Sequence, residues 1–190
     1  MADLRRICVF CGSSAGSNPA FSRAAGDLGA ALADRSIELV YGGGATGLMG
    51  TVADAVLGHG GHVVGIIPGG LSTEVGHPGI SQLIEVEGMH ARKALMYDKA
   101  DAFVALPGGF GTLDELAEVL TWSQLGLHTK PVGLLDVEGY FGSLLAFLDG
   151  AVDAGLLKDK NRALLLSDTS VGDLLDTLAT TEVTYEPKWQ

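Results

Sequence analysis

The residues with the clearest chemical potential follow the apolar run Ala102–Leu106, where three glycines and a threonine precede two carboxylates. We call this stretch, Pro107–Thr112, the second glycine segment. Glycines allow consecutive backbone N–H groups to point into one concavity, and the positive N-terminal end of a following helix adds to that field. Such a site binds a phosphate without any net positive charge on the protein. The sequence therefore predicts an anion site at this segment.

Thr112 and Glu115 also allow a purely structural interpretation. Their T-x-x-E spacing is that of a capping box, in which the threonine and glutamate side chains only satisfy backbone N–H groups at the start of a helix. Catalysis and capping require different chemistry of Glu115, and the spacing by itself leaves both interpretations open.

A first glycine segment, Gly42–Gly47, follows the run Ile37–Tyr41 and opens a helix. It contains the G-x-G-x-x-G pattern of dinucleotide-binding proteins, but it follows the second strand and lacks the acidic residue expected about 20 positions later. It is not a P-loop, because Leu48 and Met49 stand where a lysine and a serine or threonine would bind phosphate and magnesium. No redox cofactor is expected. Its glycines, Gly42, Gly43, Gly44 and Gly47, either contact a nucleotide or only permit a tight turn and close helix packing.

Short, nearly continuous apolar runs alternate with amphipathic segments of helix length. Such runs are typical of parallel strands that are covered by helices on both faces. The predicted strands are Arg5–Cys11, Ile37–Tyr41, His62–Ile67, Gln82–Val86, Ala102–Leu106 and Pro131–Leu135. The predicted helices are Pro19–Asp34, Gly47–Gly58, His90–Ala100, Thr112–Leu125, Tyr140–Ala154 and Val171–Leu178. This order predicts an α/β fold with a doubly wound, Rossmann-like parallel sheet, whose ligands bind at the carboxyl edge of the strands.

The length of 190 residues fits a single domain, which we place at 1–182, followed by a C-terminal tail at 183–190. The stretches Pro68–Gly79 and Val183–Gln190 are expected to be irregular. A net charge of −11 works against non-specific binding to nucleic acid or to an anionic membrane. Neither an export signal nor an uninterrupted apolar run of about 18 residues is recognisable, so a cytoplasmic protein is expected.

Two cysteines, Cys8 and Cys11, form a C-x-x-C pattern. They fall in a predicted strand, where positions i and i+3 point to opposite faces, so we expect their sulfurs to diverge and not to act as a redox pair. Five histidines are scattered without the spacing of metal ligands, and no metal is expected. They are His59, His62, His77, His90 and His128.

The pattern Pro107-Gly108-Gly109-x-Gly111-Thr112-x-x-Glu115 resembles the PGGxGTxxE motif of the LONELY GUY (LOG) family of cytokinin riboside 5′-monophosphate phosphoribohydrolases. Further segments are similar to that family, so the resemblance runs from about Ile7 to Leu157. These segments are Gly42–Gly50, Met89–Lys93, Thr121–Gly126 and Lys130–Leu135. The resemblance implies a Rossmann-like homodimer without a cofactor. It also implies hydrolysis of the N-glycosidic bond of N6-substituted adenosine 5′-monophosphates to free base and ribose 5-phosphate.

The resemblance also implies site residues. Arg92 and Glu115 match the family's catalytic pair. The implied substrate-binding residues are Glu74, Lys93, Gly108, Gly109, Phe110, Gly111, Thr112, Leu113, Asp114 and Thr121. Cleavage of a ribosyl bond passes through an oxocarbenium-like state, which a nearby carboxylate stabilises. Glu115 fits that role, but it could equally orient water or hold the ribose hydroxyls, and Arg92 could orient Glu115, bind phosphate or assist the leaving base.

Two other functions fit the same residues. One is a non-catalytic nucleotide-binding or carrier module that keeps only the phosphate site, and the other is an enzyme of the same chemistry that acts on plain AMP. Relatives of the family have been labelled lysine decarboxylases, but no lysine here has a recognisable pyridoxal phosphate context. The joint presence of Arg92 and Glu115 favours an enzyme over a carrier.

Overall fold

A computed structural model of the protein describes residues 4–184. Seven strands pair in parallel throughout. They are β1 (Arg6–Phe10), β2 (Glu38–Tyr41), β3 (Val63–Pro68), β4 (Gln82–Val86), β5 (Ala102–Ala105), β6 (Val132–Leu135) and β7 (Leu165–Asp168). Their order across the sheet is β4-β3-β2-β1-β5-β6-β7. The predicted doubly wound parallel sheet is therefore confirmed.

Eight α-helices connect and follow the strands. They are α1 (Pro19–Asp34), α2 (Gly47–Gly58), α3 (Gly69–Val75), α4 (Met89–Lys99), α5 (Phe110–Gln124), α6 (Gly142–Asp153), α7 (Asp159–Arg162) and α8 (Val171–Thr180). A short 3-10 turn, Val137–Gly139, precedes α6. Among residues 4–184, no helix combines the length and the apolar character needed to cross a membrane.

The sheet separates two apolar cores. Side chains of α1, α2 and α8 pack on one face, against Ile7, Val9 and Leu39 among others. Side chains of α4, α5 and α6 pack on the other face, against Cys8, Phe10 and other strand residues. Because the central strands are covered on both sides, nearly every one of their positions is buried, which explains why their sequences are continuously apolar.

Cys8 and Cys11 belong to different cores, Cys8 to the face of α4 and α5 and Cys11 to the face of α1 and α2. Both are buried, free thiols, and burial raises the pKa of each. The predicted divergence of the two cysteine side chains, to opposite faces of the sheet, is confirmed.

Several local predictions differ from the structure; among them, α6 begins at Gly142 and not at Tyr140, and α8 extends to Thr180. Residues 69–75 of the stretch that we expected to be irregular form the helix α3. That prediction was wrong because the glycines at the start of α3 and the short length of the helix conceal its apolar periodicity. The strand β7 was not predicted, since at the sheet's edge it is only partly buried and carries Ser167 and Asp168. Helix α5 begins at Phe110, two residues before the predicted start. Most of the predicted tail, 183–190, lies outside the described residues.

The strand order reverses direction at β1, which pairs with β2 on one side and with β5 on the other. Connections from β1 and β5 therefore leave toward opposite faces of the sheet, and a crevice opens between their carboxyl ends. The loop after β1 and the second glycine segment after β5 meet at this crevice.

Candidate active site

A pocket of about 270 Å³ occupies the crevice between the ends of β1 and β5. Its lining comes from five places in the chain: the end of β1 with the loop after it, the start of the first glycine segment, the first turn of α2, helix α4 and the start of α5. The lining residues are Val9, Cys11, Gly12, Ser13, Gly42, Met49, Arg92, Gly109, Phe110, Gly111, Thr112 and Glu115. The pocket therefore brings together Arg92, Glu115 and the first turn of α5.

Arg92 and Glu115 face each other across this pocket as an ion pair. Arg92 Nη1 lies 3.2 Å from Glu115 Oε1, and both side chains are almost entirely buried. Arg92 Nε donates a hydrogen bond to the carbonyl oxygen of Ile66, at 3.1 Å. Because β3 ends at Pro68, this bond fixes the guanidinium to the end of a central strand, and the guanidinium in turn fixes the carboxylate.

Gly42 is the residue that makes room for the guanidinium. A methyl group built on Gly42 would collide with Nη2 of Arg92. The absence of a side chain at Gly42 is therefore required for the Arg92–Glu115 pair, whatever else that glycine does.

Burial dominates the electrostatics of Glu115. Desolvation raises the pKa of its carboxyl to about 7, against the lowering effect of the positive Arg92, and nearby Asp114 adds to the rise. A carboxyl group of this kind is close to half ionised at neutral pH, which is the range in which a catalytic acid or base works best. Carboxyl groups with strongly perturbed pKa values in clefts are candidates for functional residues.

The start of α5 supplies the hydrogen-bond donors of the pocket. Its N-cap is Gly109, without a side-chain capping bond, and Leu113 N is the first amide to bond back, to Gly109 O at 3.1 Å. The N–H groups of Phe110, Gly111 and Thr112 precede that first helical bond, so no carbonyl of their own helix accepts from them. The capping-box alternative does not hold, because Thr112 lies inside the helix and Glu115 turns to Arg92.

The first glycine segment serves mainly to shape the backbone. Of its glycines only Gly42 lines the pocket. Gly43 and Gly47 have positive φ angles of 76° and 61°, and a methyl group on Gly47 would collide with the backbone of Ser13. The segment is tied to the stretch after α3, since Ala45 N donates to Val75 O and His77 N donates to Gly43 O.

Several residues implied by the resemblance lie outside this pocket. Lys93 Nζ contacts Asp114 Oδ2 and Glu118 Oε1, each at 3.1 Å, and joins α4 to α5. Leu113 and Thr121 line an apolar groove on the outer side of α5. Glu74 is exposed near the end of α3. Gly108 lies immediately before the pocket-lining part of the second glycine segment.

The sequence argument missed the contribution of β1. Gly12 N donates to Pro107 O and Gly12 O accepts from Leu48 N, both at 3.0 Å, so this one residue joins the second glycine segment to the first turn of α2, directly after the first glycine segment. The signal available was Gly12-Ser13-Ser14 directly after the first predicted strand, the usual ligand-binding junction of such folds. Within residues 4–184 no cluster of His, Cys, Asp and Glu is suited to hold a metal ion.

The buried position of Glu115 leads to a prediction about its titration. We expect its carboxyl carbon, followed by ¹³C NMR and assigned with Glu115→Gln, to titrate near pH 7. Since the folded pKa lies above the unfolded value, the folded state holds the proton longer. This group's contribution to the free energy of unfolding therefore falls as pH rises from about 4.5 to 7, by at most about 3 kcal/mol.

The same pH dependence should be missing in Glu115→Gln, which has no proton to lose at this position. Urea unfolding of both proteins at pH 5 and pH 8 gives the change in the free energy of unfolding between these pH values. This change is then compared between wild type and Glu115→Gln. Equal pH dependence in the two proteins, or titration of the Glu115 carboxyl near pH 4, would show that desolvation does not dominate the pKa of Glu115.

Known structures share this architecture. The molybdenum cofactor binding protein from the phototrophic bacterium Rippkaea orientalis is 22% identical, with a TM-score of 0.69 over 93% of this chain and 96% of that one. The Moco carrier protein from Chlamydomonas reinhardtii is 23% identical, with a TM-score of 0.69 over 90% of this chain and 93% of that one. At these identities the likeness shows the fold alone.

Sequence comparison identifies relatives with higher sequence identity. The family described as "Possible lysine decarboxylase" matches residues 49–178. Two cytokinin riboside 5′-monophosphate phosphoribohydrolases of Arabidopsis thaliana are similar to most of the chain. LOG2 is 53% identical over 92% of this chain and 82% of its own length, and LOG7 is 50% identical over 97% and 84%. With half of its residues shared with these enzymes over more than nine-tenths of its length, the chain belongs to the LOG family of phosphoribohydrolases.

Proposed function

We propose that the protein hydrolyses the N-glycosidic bond of N6-substituted adenosine 5′-monophosphates, the chemical class of cytokinin riboside monophosphates. Water adds to the anomeric carbon, the bond from that carbon to the base breaks, and free base and ribose 5-phosphate leave. The observation that carries the proposal is the position of Glu115 in the same pocket as the free N–H groups of α5.

The geometry of α5 suits the two ends of a phosphorylated ribose. From Gly111 to Glu115 the helix rises about 6 Å, at about 1.5 Å per residue. This distance is comparable to the separation of the 5′-phosphorus and the anomeric carbon in ribose 5-phosphate. A phosphate bound at the first turn of α5 therefore leaves the anomeric carbon within reach of the Glu115 carboxylate.

Each group in the pocket then has a chemical task. The N–H groups of Phe110, Gly111 and Thr112, together with the positive end of the helix, hold the phosphate. Glu115 as a carboxylate stabilises the positive charge that develops on the ribose and accepts a proton from the attacking water, and this proton ends on the departing base. Arg92 holds that carboxylate in place and keeps a fraction of it ionised against the desolvation that favours its protonated form.

The geometry favours this enzyme over a carrier. A carrier module requires only the phosphate-binding turn of α5, and burying Glu115 costs stability that binding alone does not need. Lysine decarboxylation, the activity in the description of the matching family, is not proposed. Lys93, the lysine nearest to Glu115 in this arrangement, is held by Asp114 and Glu118.

The substrate is tested by incubating the protein with N6-isopentenyl-AMP, AMP and N6-isopentenyladenosine and measuring free base. Each monophosphate is compared with the riboside. We expect a kcat/KM for the monophosphate that is about 100-fold or more above that of the riboside, since charge-assisted hydrogen bonds to the phosphate contribute about 1.5–3 kcal/mol each. A riboside cleaved as efficiently as the substituted monophosphate would refute the phosphate site, and base release only from AMP would replace the proposed substrate by AMP.

Glu115→Gln should lower kcat by about 100- to 10,000-fold while the protein stays folded. Glu118→Gln is the matched control, because it makes the same substitution one turn further along α5. Near-normal kcat in folded Glu115→Gln would remove this carboxylate from the reaction.

Gly42→Ala tests the position of Arg92. The added methyl group should displace the guanidinium and lower kcat/KM by about 10- to 100-fold, since a misplacement of about 1 Å can cost 100-fold in rate. The melting temperature should change little, because the methyl group meets the end of a side chain. Gly26→Ala, in α1 with open space around the added methyl, is the control. Unchanged kcat/KM in Gly42→Ala would show that the guanidinium can move without loss.

A homodimer, implied by the family resemblance, is part of the proposal. An apolar groove of about 310 Å³ runs between α5 and α6, lined mainly by leucines of both helices. Near it, Phe147 is 69% exposed and Leu156 is 86% exposed, and exposed apolar patches of this kind typically mark interfaces. Leu113 and Thr121 lie on this groove, so a second copy seated there would place these family-matched residues at the interface.

A cytoplasmic location stays a prediction.

Sedimentation equilibrium tests the dimer. We expect twice the mass of the chain, and Leu148→Asp should give monomers because a carboxylate in the groove would be buried without a partner. Leu71→Asp, on α3 and away from the groove, should leave the mass unchanged. A wild-type protein that stays monomeric at every concentration would refute this part of the proposal.

A further inference from the structure

Tyr140 contacts the second glycine segment from outside the pocket. Its hydroxyl donates a hydrogen bond to the carbonyl oxygen of Gly108, at 2.6 Å, across 32 positions of sequence. Tyr140 does not line the pocket and does not belong to the residues that the family resemblance implies. Its hydroxyl therefore acts on the segment that precedes the first turn of α5.

The backbone around Tyr140 is arranged to hold its ring in place. Glu138, a residue with a side chain, has a positive φ of 55°, and Gly139 follows with a φ of 71°. The turn is closed by Asp136, whose Oδ1 accepts from Phe141 N at 2.8 Å. Such a conformation at a non-glycine residue carries a cost in free energy and is found where the surrounding structure requires it.

Two aromatic rings complete the support. The Tyr140 ring stands nearly perpendicular to Phe21, with centroids 5.3 Å apart, and to Phe141, with centroids 5.0 Å apart. Phe141 is buried in the core beside α5 and α6, while Phe21 belongs to α1. The ring is thus held between the elements that follow β1 and β6, and its hydroxyl reaches the segment that follows β5.

The bond to Gly108 has a consequence inside the pocket because a peptide unit is planar. In a trans unit the C=O of one residue and the N–H of the next point in opposite directions, and no cis bond occurs among the described residues. A Gly108 carbonyl fixed toward Tyr140 therefore directs the N–H of Gly109 to the other side. The preceding carbonyl, of Pro107, is fixed in the same way by Gly12 N.

Thr112 restrains the same peptide from another direction. A methyl group on Gly108 would collide with Thr112 Oγ1 and approach Gly12 N. The backbone at Gly108 is therefore confined between the loop after β1 and the first turn of α5, and the Tyr140 hydroxyl fixes the remaining freedom, the rotation of the peptide plane.

We propose that Tyr140 is a positioning residue for phosphate recognition: by holding the Gly108 carbonyl it orients the peptide planes that lead into the first turn of α5. This role rests on the proposed function of the pocket. Tyr140 affects binding of the phosphoribosyl group, and it affects neither binding of the base nor the charge on Glu115. Loss of the hydroxyl therefore weakens affinity for ribose 5-phosphate and leaves affinity for the free base unchanged.

The test compares Tyr140→Phe, which removes one oxygen atom, with Tyr97→Phe. Tyr97 is a matched control because its hydroxyl also donates to a backbone carbonyl, that of Leu127, at 3.2 Å. Inhibition constants for ribose 5-phosphate and for adenine are measured on each enzyme, together with kcat, KM and the melting temperature.

We expect Tyr140→Phe to raise the inhibition constant of ribose 5-phosphate and the KM of the monophosphate by about 3- to 10-fold, the effect of one net hydrogen bond. The inhibition constant of adenine, kcat and the melting temperature should stay close to those of wild type. Unchanged inhibition by ribose 5-phosphate in Tyr140→Phe, or an equal loss for adenine or in Tyr97→Phe, would overturn the role of Tyr140. If wild type releases no base from the monophosphate, the proposed function fails; if it releases base but is not inhibited by ribose 5-phosphate, only the role of Tyr140 fails.

Discussion

The buried pairing of Glu115 with Arg92 is the interaction on which the site depends. A carboxylate taken out of water needs a positive partner and a fixed geometry, since an unpaired buried charge is strongly destabilising. The guanidinium meets this need only because β3 offers the Ile66 carbonyl and because Gly42 has no side chain. Four separate parts of the chain, β3, the first glycine segment, α4 and α5, are thus constrained by one ion pair. The Glu115 carboxyl itself stays close to the balance between its ionised and protonated forms.

The rest of the proposed site consists of backbone N–H groups, which suits an acidic protein. With a net charge of −11 the chain does not attract anions in general. In the proposed site, the N–H groups and the helix dipole at the first turn of α5 attract the phosphate locally, and their effects act over short distances. The strength of the hydrogen bonds from such donors depends on the orientation of the N–H groups. This dependence explains why Gly12, Thr112 and Tyr140 all contact the peptides just before the helix.

The comparisons separate fold from activity. Molybdenum cofactor proteins share the sheet and its helices at 22–23% identity, whereas the phosphoribohydrolases share half of the residues. A shared scaffold does not by itself determine the ligand, because function depends on the side chains and N–H groups that the scaffold presents. In this chain those groups are Arg92, Glu115 and the first turn of α5.

Local pattern was sufficient to predict most of the fold. The central strands were recognisable because both of their faces are buried, and α1 and α2 have the bounds that their periodicity predicts. Where burial is partial, as in β7, or the helix is short and begins with glycines, as in α3, the pattern was too weak. The same local information predicts a phosphate site at the second glycine segment, and resemblance to a family added Arg92 and Glu115 as candidate catalytic residues.

Tertiary structure alone decided what these residues do to one another. The spacing of Thr112 and Glu115 is equally compatible with a cap and with catalysis, and only the position of Arg92, 23 residues earlier in the chain, turns Glu115 into the pocket. Likewise, the glycine pattern around Gly42 gave no sign of its contact with Arg92, and Tyr140 has no local signature, because both roles arise from contacts that are distant in sequence. Sequence pattern reflects interactions between residues that are close along the chain. Desolvation, ion pairing and the direction of a peptide plane depend instead on contacts with residues that are distant in sequence and are brought together only by the fold.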